Sequence, residues 1–413
     1  MWESLKYLLV TVFLCTIVTL TVLGRGHSQE RSSFSRLREG QQVSLTEGVR
    51  LARGLVPVAT YFSVDSGASL RRRAGTCRVE PVDGWKAGTR FCMPAEFERQ
   101  QAILLASGRL AASFPELLTD IVSAVRGRVL LVMLVDSQED QDLVHEALKD
   151  QHLTDDDVRT IPLGIDTQWI RDFGPLFVRD WKGRISIVDT FYDALDRPND
   201  DVVPETLGKA IGIRVAHFPI TLDGGNILSN GKGLFLATTT LLSENQAGGF
   251  DETLLRESLR SYLGCEHLVM LEPLAGERTG HVDMFATFTD SRTIVVASCD
   301  SETDPENASI LDQNAASLAA IPAPYGPLRV VRIPMPSRGD GVWRTYNNVI
   351  FANSVLLMPT YRGVDLERER VAIRRFCEVL PNWEVVGIDA SGIIQMDGAL
   401  HCISMNIPAD ESK

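Results

Sequence analysis

Five short polar clusters recur along this chain at nearly even intervals, and that spacing limits the folds it can adopt. They are Trp169-Ile-Arg171-Asp172-Phe-Gly174-Pro175, Asp223-Gly224-Gly225-Asn226, Gly280-His281-Val-Asp283, Tyr346-Asn347-Asn348 and His401-Cys402. Asp172 to Asp223 is 51 residues, Asp223 to His281 is 58, His281 to Asn348 is 67 and Asn348 to Cys402 is 54. Each cluster lies beside an apolar, strand-like run. One polar loop per structural unit of that size would carry all five to a common axis, as the blades of a propeller do. No sequence repeat at a fixed period accompanies the spacing.

Between the clusters the pattern is mixed α/β. Periodicity predicts helices over Pro115–Val125, Glu139–Lys149, Asp251–Tyr262, Pro305–Ala320 and Leu366–Val379, and buried strands at Ala102–Ser107, Val129–Val135 and Arg159–Leu163. Antiparallel hairpins are expected where Gly174–Asp180 meets Arg184–Thr190, Met284–Thr289 meets Thr293–Ser298, and Val349–Ala352 meets Val355–Pro359. Hairpins between helices set this chain apart from a strictly alternating doubly wound sheet.

Composition narrows the function classes. A net charge of −13 over 413 residues opposes nucleic-acid binding, which needs clustered Lys and Arg, and agrees with a cationic substrate. Residues 7–24 (YLLVTVFLCTIVTLTVLG) carry no charge and follow Lys6, so residues 1–26 read as an export signal, either cleaved or kept as a membrane anchor. That places the protein outside the cytoplasm, secreted, periplasmic or anchored. Residues 27–90 form an Arg-, Ser- and Gly-bearing linker and irregular extension, and 91–413 the catalytic domain. Cys77 and Cys92 bracket a short loop and fit either a disulfide or two free thiols. Cys265, Cys299 and Cys377 read as core packing. No Cys-x-x-Cys or His-x-x-x-His spacing suggests zinc, and no cofactor is expected.

Cys402 is the candidate nucleophile, because a thiolate is the strongest among side chains once a cation or ion-paired substrate draws off its proton. In the strand-like run Asp397–Pro408, His401 would point to the opposite face, so the base has to come from elsewhere. His281 and Asp283 share a face on an extended segment, where one can shuttle protons while the other holds a cation. Trp169, Arg171 and Asp172 stand within seven residues and are out of place in a strand unless they line a site. Asp172 can accept a bidentate pair of N–H donors from a planar guanidinium, and Trp169 can wall the substrate stem. The glycines of Asp223-Gly224-Gly225-Asn226 permit positive φ or a close ligand approach. Asn348 can bond either a substrate or the nucleophile's loop.

Taken in this order, from Met93-Pro-Ala-Glu-Phe-Glu98 to Pro408, these motifs resemble the bacterial peptidylarginine deiminase and agmatine deiminase family of guanidine-modifying enzymes. The resemblance implies a five-bladed α/β propeller with the active site on its axis. It also implies a mechanism: Asp172 and Asp283 bind the guanidinium, Cys402 attacks its carbon, and His281 first protonates departing ammonia and then activates water.

The segment Phe191–Asp201 looks more like the peptidylarginine branch, and Asp223-Gly-Gly-Asn226 lacks the Glu that agmatine deiminases place before the glycines. Arg197 matches a position that recognises a C-terminal carboxylate. Leu195 stands where a second arginine is expected, which leaves internal or altered peptide substrates open. Ser404-Met405-Asn406 departs from the Thr-Gln-Gln of agmatine deiminases. The first expectation is therefore deimination of arginine in a peptide or protein, and the alternative is a small guanidine, agmatine or free arginine.

Overall fold

The computed structural model describes residues 91–412 apart from Leu195 and Ala323. The apolar segment 7–24, the extension 27–90 and Cys77 lie outside the described residues. Cys92, the other half of the considered disulfide, directs its thiol at the Gly231 carbonyl, 3.2 Å away. Among the described residues no helix is long and apolar enough to cross a membrane.

The fold is α/β and reuses one topological unit. The chain enters through β1 (Phe91–Cys92) and β2 (Gln100–Leu105), then runs through helices Ser107–Ser113 and Pro115–Val125 to β3 (Leu130–Val135). Helix Gln138–Leu148 leads on to β4 (Val158–Pro162). In the next unit β5 (Leu176–Asp180) and β6 (Ile185–Phe191) form an antiparallel pair, and after helix Val203–Ile211 the strand β7 (Val215–Thr221) lies parallel to β6.

The same order then recurs three times. The short β8 (Leu228–Ser229) pairs antiparallel with β9 (Leu234–Thr238), and helices Thr240–Gln246 and Glu252–Leu263 lead to parallel β10 (His267–Leu271). Next come β11 (Ala286–Asp290) and β12 (Thr293–Ser298), helix Pro305–Ala319 and parallel β13 (Arg329–Pro334). Then follow β14 (Ile350–Phe351) and β15 (Val355–Thr360), helix Leu366–Val379 and parallel β16 (Glu384–Asp389). The fifth sheet joins the two ends of the domain, because β17 (Ser404–Pro408) returns to pair antiparallel with β2, which is parallel to β3 and β3 to β4.

Local sequence explains these elements. Parallel strands covered on both faces read as continuous apolar runs, and in β3 every residue from Leu131 to Val135 is buried. Helix Pro115–Val125 has Pro at its start and buries Leu117, Leu118, Ile121, Val122 and Val125, the spacing of one helical face. Each such side chain contributes about 1.5–3 kcal/mol when fully removed from water. Helix Glu252–Leu263 begins where the Asp251 side chain accepts the Leu254 N–H (2.8 Å) and ends at Gly264, whose φ of 76° an L-residue avoids.

The expected helices and hairpins are present within a residue or two. The third, parallel strands β7, β10, β13 and β16 complete them into sheets. Cys377 corrects its expectation: it is exposed. On helix Leu366–Val379 the buried positions are Ala372, Phe376 and Val379, and one residue past Phe376 turns a side chain about 100° away from that face.

Candidate active site

Each polar cluster sits on the turn that enters the first strand of a unit. Helix Ile170–Phe173 precedes β5, the 3-10 turn Gly224–Asn226 precedes β8, and the 3-10 turn Val282–Met284 precedes β11. Asn347 and Asn348 precede β14, and the turn through His401 and Cys402 precedes β17. These turns hold one another. The Arg171 backbone N–H donates to the Cys402 carbonyl (3.1 Å). The side-chain oxygen of Asn348 accepts the backbone N–H groups of His401 (2.8 Å) and Cys402 (3.3 Å), and its amide nitrogen donates to Asp283 Oδ2 (3.1 Å). Asn348 thus secures the loop that carries Cys402, and its amide also lies 3.4 Å from Cys402 Sγ.

Gly225 marks where the side chains meet. A Cβ built there would lie 2.6 Å from His281 Nδ1, 3.1 Å from Asp172 Oδ1 and 3.2 Å from Asp283 Oδ2. The glycine thus serves close approach rather than positive φ. Gly224 does likewise, since its Cβ would fall 2.1 Å from the Arg171 carbonyl.

Around this point His281 stands 3.3 Å from Asp223 Oδ2 through Nε2 and 3.7 Å from Asp172 Oδ1 through Nδ1. Asp172 Oδ1 and Asp283 Oδ1 are buried and have no hydrogen-bond partner, a costly condition for carboxylates and a mark of function. Among the described residues no group of three or more His, Cys, Asp or Glu is arranged to hold a metal ion.

Residues 92–408 match the profile of the Porphyromonas-type peptidyl-arginine deiminase family. The chain belongs to that family. Its enzymes are hydrolases of guanidino C–N bonds, and the convergence of a cysteine, a histidine and acidic side chains is consistent with that chemistry. A curated relative from Marinomonas sp. (strain MWYL1), named "Putative agmatine deiminase", is 24% identical over 367 residues, covering 77% of this chain and 94% of its own. Among solved structures, agmatine deiminase of C. jejuni is 23% identical with a TM-score of 0.66, covering 78% of this chain and 98% of the other. Agmatine deiminase of Enterococcus faecalis is 22% identical with a TM-score of 0.67, covering 78% and 96%. These structural likenesses establish a shared fold.

The electrostatics of this family member are strongly perturbed. Burial pushes the Cys402 thiol well above its ordinary range, and the charges of Asp283 and Asp172 push it further. Burial likewise raises Asp172, to about 7, with Asp223 and Asp283 adding and His281 opposing. Burial alone would lower His281, but Asp172, the contact with Asp223 and the charge of Asp283 raise it to about 10. A protonated histidine and a protonated thiol therefore face acidic side chains at neutral pH.

Several expectations change here. Cys402 lies on a turn, with β17 starting only at Ser404, because Asn348 captures the two N–H groups that a strand would have paired. His281 caps the 3-10 turn Val282–Met284 and Asp283 lies inside that turn, so the two do not share a face of an extended segment. Arg171 does not line the substrate space. It is 2% exposed, and its guanidinium contacts Glu96 Oε1 (2.5 Å), Asn406 Oδ1 (3.4 Å) and the His401 carbonyl (3.4 Å). Asn226 is engaged with Thr240 Oγ1 (2.9 Å) and the Thr238 N–H (3.0 Å), so its amide braces the turn. Trp169 is half-buried and packs on Gly398, where a Cβ would lie 2.2 Å from its ring. Arg197 donates to the Tyr192 hydroxyl (3.0 Å), and the Tyr192 ring packs against Phe173, the neighbour of Asp172, with centroids 5.8 Å apart.

Sequence reasoning assigned no role to Glu96 or Glu244. Glu244 lies one helical turn beyond Thr240, which touches Asn226 and would meet a Cβ on Gly280 at 2.8 Å. Burial raises its carboxyl, with Asp223 next in effect. The i to i+4 relation to Thr240, whose hydroxyl bonds Asn226, is the signal that could have found it.

Proposed function

We propose that this protein hydrolyses a small guanidine, agmatine first, to the corresponding ureide and ammonia. The observation that carries the proposal is that Asp172 and Asp283 meet His281 at Gly225, each keeping one buried carboxylate oxygen without a hydrogen bond, while Asn348 links Asp283 to the Cys402 sulfur. A guanidinium is planar, cationic and rich in N–H donors, and it would satisfy both oxygens at once. Its charge would also remove the repulsion that keeps Cys402 protonated, so thiolate formation and substrate binding would be coupled.

In this reading the Cys402 thiolate forms an S–C bond to the guanidinium carbon, giving a tetrahedral adduct. Protonated His281 gives its proton to one NH2 group, the C–N bond breaks and ammonia leaves, and a cationic S-alkylthiouronium remains. Neutral His281 then takes a proton from water as the oxygen attacks the same carbon. Collapse of the second adduct breaks the C–S bond, its hydroxyl proton passes to solvent or to the departed ammonia, and the thiolate returns with release of the ureide. The two carboxylates would contribute mainly by fixing the carbon over the sulfur. The five sheets would stand as blades around the point that Gly225 marks.

The small-guanidine reading is supported by the relatives named as agmatine deiminases and by Asp223, 3.3 Å from His281 and partly exposed, which suits a distal ammonium and opposes a carboxylate. The peptidyl-arginine reading keeps one observation in its favour: Arg197, held by Tyr192 near the site, could anchor a C-terminal carboxylate. The test is ureide formation by the purified protein offered agmatine, free arginine, a peptide ending in Arg and a peptide with internal Arg, each with Cys402→Ser as control. Turnover of agmatine alone is expected; turnover of peptides and not agmatine would replace this reading with the second, and turnover of none would remove both.

A further inference from the structure

His401 takes no part in the scheme above, yet it is 3% exposed and bonded through both ring nitrogens to carboxylates. Nδ1 lies 2.7 Å from Asp283 Oδ2, and Nε2 lies 2.9 and 3.1 Å from the two oxygens of Glu96. Glu96 Oε1 in turn meets Arg171 Nη1 at 2.5 Å. The chain alternates in sign: Asp283, His401, Glu96, Arg171. An ionised carboxylate only accepts, so an imidazole bonded to one at each nitrogen must donate from both and be cationic. Burial and the Arg171 charge oppose that state, and Glu96 and Asp283 outweigh them.

The consequence falls on Asp283. Its Oδ2 receives two donors, His401 Nδ1 and Asn348 Nδ2, whereas its Oδ1 receives none. A carboxylate held by two donors on one oxygen has lost its rotation about Cβ–Cγ, and its other oxygen is aimed. We propose that His401 and Glu96, braced by Arg171, are positioning residues that set the rotation of the Asp283 carboxylate and so present Oδ1 to a guanidinium. This inference rests on the guanidinium-clamp reading and adds the device that orients one arm of the clamp. Arg171 closes the device on the nucleophile, because its Nε donates to the His401 carbonyl and its backbone N–H to that of Cys402.

The alternative is that the chain is structural only, an ion-pair stack that holds residues 93–98 against the domain. The two differ in what a substitution does to binding. An asparagine at 401 can put its amide nitrogen where Nδ1 stands and keep the bond to Asp283, whereas a glutamine reaches toward Glu96 and gives up Asp283. The experiment uses the full chain with His401→Asn, His401→Gln and Glu96→Gln, each checked for a cooperative melting transition. Two readouts are taken: kcat and KM for agmatine, and the ratio of Cys402 inactivation rates by 2-chloroacetamidine, a cationic guanidinium mimic, and by neutral 2-chloroacetamide.

His401→Gln should raise KM at least tenfold, more than it lowers kcat, and reduce the amidine-to-amide ratio by a similar factor. His401→Asn should recover most of both, and Glu96→Gln should fall between them. An unchanged ratio in His401→Gln, equal slowing of both reagents, or a His401→Asn no better than His401→Gln would each overturn the inference. The alkylation ratio needs no turnover, so an inactive wild type that still prefers the amidine would defeat the proposed reaction and leave the positioning role standing.

Discussion

Two histidines flank the reactive centre, and their surroundings are built on opposite principles. His401 is bonded at both nitrogens at 2.7 to 3.1 Å, inside a chain in which each charge faces its opposite. His281 has looser contacts, 3.3 Å to Asp223 and 3.7 Å to Asp172, and the Asp172 oxygen it approaches has no hydrogen bond. Both imidazoles are raised by neighbouring acids. A fully satisfied buried network rigidifies, while a partly satisfied one stores unfavourable electrostatics that a cation can relieve. The first is suited to holding geometry and the second to binding and proton transfer, so one residue type is set up for two different tasks.

If this contrast is right, the largest effect belongs to the loose histidine. His281→Gln should cost about 10²–10⁴ in kcat, the usual worth of a positioned acid and base, with Tm nearly unchanged. A melting point that falls as much as activity would break the contrast. Gly225→Ala comes next, because the added methyl would sit 2.6 Å from His281 Nδ1 and within 3.2 Å of both clamp carboxylates. About a hundredfold loss of kcat/KM is expected, in line with the cost of an ångström-scale misplacement, and near-normal kinetics would show that these groups do not converge on the substrate.

The pH profile sharpens the same point. In the proposed mechanism Asp172, raised to about 7, must be ionised to bind a cation and Cys402, raised by burial, must be ionised to attack, so kcat/KM should climb as pH rises through 7 and beyond. His281, raised to about 10, would have to be protonated to release ammonia, so the climb should end only as pH approaches 10. Each limb changes the rate by about tenfold per pH unit. A maximum at pH 5 would contradict both assignments.

Much of this arrangement could be read in the sequence. Runs such as Pro115–Val125 and Leu366–Val379 declare their helical faces, and the spacing of Asp172, Asp223, His281, Asn348 and Cys402 matches one turn per topological unit. The parallel strands β7, β10, β13 and β16 are harder to see because several are only half-buried and their partners lie beyond an intervening helix. Period-two alternation carried back from β17 through residues 401 and 402 hides His401, because the strand begins only at Ser404. Nothing local reveals that Asn348, more than fifty residues upstream, converts that stretch into a turn. Glu96 carries no sequence signal of its burial, since both of its cationic partners come from distant segments. Long-range ion pairs are legible only after the fold is known.

The smallest effect should come from the tight side, and it should appear in stability. Burial opposes ionisation of Glu96, but Arg171 and His401 lower its carboxyl from an ordinary value near 4.5 to about 2. A group depressed in the folded state contributes stability that is complete above its unfolded pKa and lost as pH falls through its folded one. Glu96→Gln should therefore lower stability above pH 4.5 by about 1–2 kcal/mol, allowing for partial solvent screening. The difference from wild type should shrink as pH falls from 4.5 toward 2. Urea melts of both proteins at pH 3 and pH 7 measure this directly. A penalty of the same size at both pH values would mean that packing rather than charge holds the residue. A penalty that vanishes in acid would mean that the tight side of the site is maintained by its alternating charges, the property the loose side lacks.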